Sequence, residues 1–217
     1  MKMNNKQSLN FFSQLITKSI KPGIEKYGND STNHDANFIL TNKLNAKSLL
    51  DIGSGTGLIL KKISTHFDII HAIEPYKELS NHIELKKNIN VINSNIFDFE
   101  PKIMYDMITI FGVMHYFNEH ETELVYKKCY DMLNSSGILI IKNQFGIKSD
   151  VFISGYSEEL NSDYYANYRF IEKEKSLLQE IGYKNIRQFD IYPPELNRWD
   201  NTHFYAIICK KPSLNKD

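Results

Sequence analysis

The sequence predicts an α/β fold: a doubly wound, mostly parallel seven-stranded sheet with a C-terminal antiparallel hairpin and an N-terminal helical cap. Three observations carry this. Short β-branched runs alternate with longer amphipathic stretches from residue 48 to residue 144, the pattern of strand–helix–strand units with right-handed crossovers. The run "YDMITIFGV" (105–113) is almost continuously apolar, as a strand covered on both faces must be. Only "PPELNRWDNT" separates the last two strand-like runs, too little for a crossover helix, so they pair antiparallel.

Taken in order, about 45 residues first read as two cap helices, "SLNFFSQLITKSI" and "HDANFILTNKL", with His34 and Asp35 starting the second. "SLLDI" (48–52) is the first strand. "LILKKISTHF" (58–67) follows with Leu58, Ile59, Ile63 and Phe67 at helical spacing. "DIIHAIE" (68–74) is a second strand, "YKELSNHIELKKN" (76–88) a second helix and "INVINS" (89–94) a third strand. After the fourth strand, "EHETELVYKKCYDML" (119–133) is a helix ended by the "NSSG" turn, and "ILIIKNQ" (138–144) is the fifth strand. "FIEKEKSLLQEIG" (170–182) is a helix stopped by Gly182, and "YKNIRQFDIY" and "HFYAIICKK" close the sheet. Residues 145–169 form a long connection rich in Tyr and Phe, the length of a lid or binding loop. Its "YYANYR" alternatively opens a helix whose tyrosines pack on the sheet.

Bulk composition limits the partners. The 26 basic and 26 acidic side chains balance, which gives no electrostatic reason to expect nucleic acid or an anionic membrane. No apolar run approaches the roughly 18 residues that span a bilayer, and the N-terminus lacks a signal-peptide core. A cytoplasmic protein, monomer or homodimer, is expected. Cys129 and Cys209 stand without metal-ligand spacing and read as reduced, partly buried thiols.

The chemistry centres on "LLDIGSGTG" (49–57), where Gly53, Gly55 and Gly57 follow a strand that carries Asp51. In a doubly wound fold this first strand-to-helix turn lies where ligands bind. Its glycines let backbone approach a ligand, and the helix start offers N–H groups. A dinucleotide fingerprint wants G-x-G-x-x-G, but Leu58 occupies the third glycine's place. A phosphate loop would need Gly-Lys-Ser/Thr, which is missing. Asp51 would repel a pyrophosphate and suits a cationic ligand. Glu74 ends the second strand, where a carboxylate grips a ribose diol.

"LLDIGSGTG" followed by "AIEP" resembles motif I and the second-strand acid of class I, Rossmann-like S-adenosylmethionine-dependent methyltransferases of the small-molecule type, over roughly residues 46–142. The resemblance implies S-adenosyl-L-methionine as cofactor. It divides a single domain into a cap (1–45), a cofactor-binding core (46–142), a lid or acceptor loop (143–170) and a closing helix and strands (171–212). It implies that Gly53, Ser54 and Gly55 line the amino-acid and ribose part, with Asp51 behind them, orienting the turn or meeting the methionyl ammonium. Glu74 takes the ribose hydroxyls, with Pro75 and Tyr76 beside the adenine. The family often has an Asp after the third strand. Here Asn95 stands there, followed by Ile96, with Asp98 as an alternative, and an Asn carbonyl accepts the same hydrogen bond. Phe111, Gly112 and Val113 would lie under the sulfonium, with core packing the other reading of Phe111.

Methyl transfer demands alignment and exclusion of water, and a hydroxyl or ammonium acceptor also needs a base. His115, just beyond the fourth strand, suits that task, since imidazole titrates near neutrality. The bland reading is a slot filled without a catalytic task. Tyr27, in "EKYGND", shapes the transfer site or merely packs. His66, His71, His82 and His120 read as solvated. Acceptor recognition falls to the variable segments: Tyr165, Tyr168 and Arg169 in the long connection, and Arg198 and Trp199 in the last loop. Aromatic walls with an isolated Arg suit a small polar acceptor, a phosphorylated amine or alcohol or a sugar. "YKKCYDMLNSSGILII" is loosely similar to phosphoethanolamine N-methyltransferases but encodes only helix, turn and strand. No Asp–Asp–Asn metal triad is apparent, so no metal is expected. The N/D-P-P-Y/F signature of adenine or glutamine methylation is missing where "FGVM" stands. Two rivals remain: a nicotinamide oxidoreductase on the same fold, and a non-catalytic adenosyl-ligand binder.

Overall fold

In the computed structural model the described residues are 31–157, 162–193, 195 and 199–213, together with Lys6, Gln7 and Ser13. Among the described residues there are nine strands, with helices between some of them: β1 Ser48–Ile52, β2 Ile69–Ile73, β3 Ile89–Ile92, β4 Tyr105–Phe111, β5 Leu133–Gly146, β6 Val151–Ser157, β7 Ser162–Tyr168, β8 Lys184–Asp190 and β9 Thr202–Lys210. Seven of them build one sheet in the order β3-β2-β1-β4-β5-β9-β8. The first five are parallel to one another, and β9 is antiparallel to both β5 and β8. The strand order reverses at β1 and β4, so their C-terminal ends frame a crevice.

Both faces are covered, which explains why β4 reads as an almost continuous apolar run. One face packs Leu50, Ile108, Ile110, Leu139 and Ile141 against Val125, Tyr126 and Cys129 of the helix Glu119–Met132 and Leu178 of the helix Ile171–Ile181. The other packs Leu49, Met107, Ile138 and Ile140 against Leu60 and Ile63 of the helix Leu58–Ile63 and Ala36 and Ile39 of the helix Thr32–Asn42. The helix Glu119–Met132 starts on a capping box, Asn118 with Glu121. Cys129 and Cys209 are both buried, unpaired thiols.

Three expectations need correction. The helix expected over 76–88 is only Lys77–Ser80. Beyond it Ile83 turns inward against the glycine turn, where a Cβ on Gly57 would stand 2.9 Å from its Cγ1. The amide of Asn93 holds Ser80 Oγ at 2.6 Å and the Glu74 carbonyl at 3.0 Å, which pins the shortened segment. The connection 145–169 is not an irregular lid: β5 runs on to Gly146, and β6 and β7 pair antiparallel from Val151↔Tyr168 to Ser157↔Ser162. "YYANYR" is therefore strand, as its β-favouring tyrosines allow, and not the start of a helix. His71 is buried and meets the Tyr105 hydroxyl at 2.5 Å, so it is not a solvated histidine. The second cap helix is Thr32–Asn42; the first, apart from Ser13, lies outside the described residues.

Candidate active site

The strand β1 delivers its chain into a turn whose three glycines all have positive φ. At Gly53 (φ 77°) an added Cβ would stand 2.3 Å from Val113 Cγ2, so only glycine lets the turn after β4 close against the turn after β1. At Gly55 (φ 55°) the same Cβ would meet nothing within 4 Å, so the turn presents bare backbone to open space. The N–H groups of Gly53 and Ser54 donate to the Ile73 carbonyl at 2.8 and 3.1 Å. This anchors the turn to the end of β2. Gly57 N–H closes it on the Ser54 carbonyl at 2.9 Å.

Two carboxylates stand behind this turn. Asp51 is buried and accepts from Thr109 Oγ at 2.7 Å, while its carbonyl accepts from Ser54 Oγ at 3.0 Å. Burial pushes its carboxyl above the ordinary value, with the Thr109 and Ser54 bonds pulling the other way. Glu74 is 4 % exposed, and its two oxygens accept from Gly55 N–H at 2.9 Å and Tyr76 N–H at 3.1 Å. Burial is the chief cause that pushes it up to about 7; Tyr76 and Gly55 oppose it, and the charge of Asp51 adds to it. A carboxylate has about four lone-pair directions, so two backbone donors leave one on each oxygen for the adjacent hydroxyls of a diol. Bare backbone at Gly55 and a half-satisfied buried carboxylate fit an adenosyl ligand.

The remaining cofactor candidates gather at the same end of the sheet. Pro75 is exposed beside the half-buried Tyr76. Asn95 is half-buried and its Oδ1 accepts from Phe97 N–H at 3.2 Å; Ile96 is buried in the core and Asp98 is exposed. Phe111 ends β4 half-buried, and Gly112 N–H donates to the Lys142 carbonyl at 2.8 Å.

His115 sits in the short turn Met114–Tyr116, with its Nδ1 3.0 Å from Asn143 Oδ1. The amide nitrogen of Asn143 donates to the Gln144 carbonyl at 2.9 Å, so its oxygen faces the imidazole. Nδ1 must then carry the hydrogen in the neutral ring, which places the lone pair on Nε2. Tyr168 lies alongside, 6.0 Å between ring centroids. Tyr165 stacks edge-on against Phe152 at 4.9 Å.

Arg169 corrects the sequence reading. It is 5 % exposed and paired with Glu174, while Nη1 donates to the carbonyls of Met114 at 2.9 Å and Phe117 at 3.0 Å. It ties the His115 turn to Glu174, and each of its three guanidinium nitrogens has a protein partner. Trp199 is partly exposed, and its carbonyl accepts from Thr202 Oγ at 2.6 Å. Tyr27 and Arg198 lie outside the described residues. Sequence reasoning missed Asn143 and a buried triad in which Lys142 Nζ donates to Asp35 Oδ2 at 3.0 Å and to the Tyr192 hydroxyl at 2.8 Å, while that hydroxyl donates to Asp35 Oδ1 at 2.6 Å. The only hint was the abrupt change from "ILII" to "KNQ" within one strand.

Comparison with known proteins agrees with this geometry. Residues 50–139 match the methyltransferase domain family. The chain is 25 % identical over 155 residues to norreticuline-7-O-methyltransferase of Papaver somniferum, a match covering 61 % of this chain and 41 % of that relative. The match thus spans about two fifths of the relative's length. A SAM-dependent methyltransferase from Leishmania major superposes with a TM-score of 0.71 at 20 % identity, covering 95 % of this chain and 82 % of the other. The N-methyltransferase NodS from Bradyrhizobium japonicum, in complex with S-adenosyl-L-homocysteine, gives 0.63 at 14 % identity, covering 85 % and 89 %. At such identities the structural likeness speaks for the fold alone. Family match, glycine turn and strand order point the same way: residues 50–139, which hold the glycine turn and Glu74, are similar to the methyltransferase domain family and lie on a sheet with the fold of S-adenosylmethionine-dependent methyltransferases.

Proposed function

We propose that the protein transfers the methyl group of S-adenosyl-L-methionine to an oxygen or nitrogen of a small polar molecule. The observation that carries this reading is the buried Glu74 carboxylate, gripping Gly55 N–H and still able to accept from a diol. When bound, S-adenosylmethionine supplies an electrophilic methyl on a positively charged sulfur. Glu74 holds the ribose, the turn Gly53–Gly55 the amino-acid end, and Asn95 with Ile96 the adenine. Asp51, already bonded to Thr109, orients the turn through Ser54. Phe111 and Gly112 would contact the cofactor from the turn after β4.

His115 Nε2 takes the proton that a hydroxyl or amine acceptor loses on attack, and Asn143 keeps the ring in the tautomer that can do so. The hairpin β6–β7, packed on the His115 turn through Tyr168, limits access of water. The expectation of a phosphorylated or sugar acceptor leaned on Arg169 and Arg198. With Arg169 committed to Glu174, the support shifts toward acceptors without a phosphate. Among the described residues no helix is long and apolar enough to cross a membrane.

The test is transfer of labelled methyl to a panel of hydroxyl and amine acceptors. His115→Ala is expected to lower kcat about a hundredfold for any acceptor that must shed a proton, leaving S-adenosylhomocysteine affinity unchanged. The rising limb of the pH–rate profile should go with it. An unchanged kcat would make His115 a packing residue.

A further inference from the structure

A cavity of about 670 Å³ opens at the same end of the sheet as the glycine turn, beyond β5, at the end of β8 and the start of β9. Its walls include the rings of Tyr192 and Tyr205 with Ile147, Ile191 and Pro193. Its polar lining includes one pair, His203 Nε2 and Asp190 Oδ1 at 2.9 Å, with the histidine 11 % and the aspartate 76 % exposed. Tyr192, Pro193 and His203 belong to the last loop, to which sequence reasoning gave acceptor recognition, and none of the residues proposed above to hold the cofactor lines the cavity.

Its position relative to the proposed cofactor site follows from one side chain. The Lys142 ammonium stands 5.0 Å from the Tyr192 ring centroid and 5.3 Å from that of Phe111. Tyr192 is a wall of the cavity, and Phe111 is a proposed cofactor contact. One side chain, Lys142, thus contacts both a wall of the cavity and a residue of the proposed cofactor site. Asn143, which orients His115, Tyr205 and Asp190 also stand in one row across β5, β9 and β8. At about 4.8 Å per strand that row is about 10 Å long, the dimension of a small ring-bearing molecule.

Charge selects among such molecules. No lysine or arginine is among the described residues of the lining, and Asp190 faces solvent at its mouth. Lys142, the cation behind Tyr192, is already neutralised by Asp35. Among the described lining residues a phosphate or carboxylate entering here would meet a carboxylate with no lysine or arginine to offset it, whereas an ammonium group would be attracted. Two phenol rings and a proline suit a flat ring, and His203 with Asp190 suits a polar substituent on it.

We infer that this cavity is the acceptor subsite, and that it takes an amine-bearing aromatic molecule and not a phosphorylated one. The inference rests on the methyltransferase reading and names the substrate class for it. Calorimetry on the protein loaded with S-adenosylhomocysteine, with tyramine and phosphoethanolamine as probes, tests it. Tyramine should bind and phosphoethanolamine should not, and Asp190→Asn should weaken tyramine about fivefold without altering S-adenosylhomocysteine affinity. Asp190 is mostly exposed, so the variant folds, and thermal melting checks that it does. Absence of tyramine binding, preference for phosphoethanolamine, or indifference to Asp190→Asn would each overturn the subsite. Failure of S-adenosylhomocysteine to bind at all would instead sink the methyltransferase reading.

Discussion

Glu74→Gln is expected to weaken S-adenosylhomocysteine binding about a hundredfold, or roughly 3 kcal/mol, since two charge-assisted hydrogen bonds to the ribose weaken together. A pH signature should accompany the loss. The diol donates to the ionised carboxylate, and burial has pushed that group up to about 7 in the unliganded protein. Wild-type affinity should then fall about tenfold per pH unit below 7, while the variant stays flat. Stability runs the other way. A carboxyl raised from its ordinary 4.5 to about 7 contributes stability that is full below 4.5 and lost as pH rises through 7, on the order of 3 kcal/mol at most. Asp51, shifted in the same direction by burial, contributes with the same sign. The unliganded wild type should lose more of its melting temperature between pH 6 and 8 than Glu74→Gln does. Thermal melts across that range, with and without S-adenosylhomocysteine, check both halves. A wild-type affinity that did not change with pH would contradict the ribose assignment.

Arg169→Ala is expected to cost about 3–5 kcal/mol of folding stability, read from the denaturant midpoint. Glu174 is 2 % exposed and is bonded to both Arg169 and the Tyr126 hydroxyl. Burial alone would lower the charge state of the guanidinium, but the Glu174 carboxylate overrides it and holds the group above its ordinary value. Removing the arginine leaves a carboxylate in the core and frees the carbonyls of Met114 and Phe117. The pair Arg169→Met with Glu174→Leu should recover most of what either single change loses, because no buried charge then remains. Equal losses in the double and single variants would show that the damage came from lost packing and not from the orphaned charge.

The parallel core was legible because its signals are local. Alternating β-branched runs, Leu58 in place of a glycine, and Gly182 ending a helix at φ 116° all act within a few residues. The turn Asp51–Gly57 and Glu74 were legible for the same reason: each sits at the end of its own strand. What escaped depends on distant partners. Arg169 was read as an acceptor-facing cation because nothing near it in sequence announces that Met114 and Phe117 would claim its nitrogens. Asn143 carries no motif, and its importance comes only from standing opposite His115. The hairpin β6–β7 was hidden because its aromatic residues suit a lid, a helix face or a strand equally. Lys142, Asp35 and Tyr192 come from three separate elements, and only the fold brings them together.

The proposed activity requires that the turn after β1 and the acid after β2 hold an adenosyl sulfonium and not a dinucleotide. Calorimetric titration of the wild-type protein at pH 8 with S-adenosylhomocysteine and, separately, with NAD decides it most directly. One-to-one binding of S-adenosylhomocysteine, lost in Glu74→Gln, with no heat from NAD, is the predicted result. Tight NAD binding with no response to S-adenosylhomocysteine would contradict it.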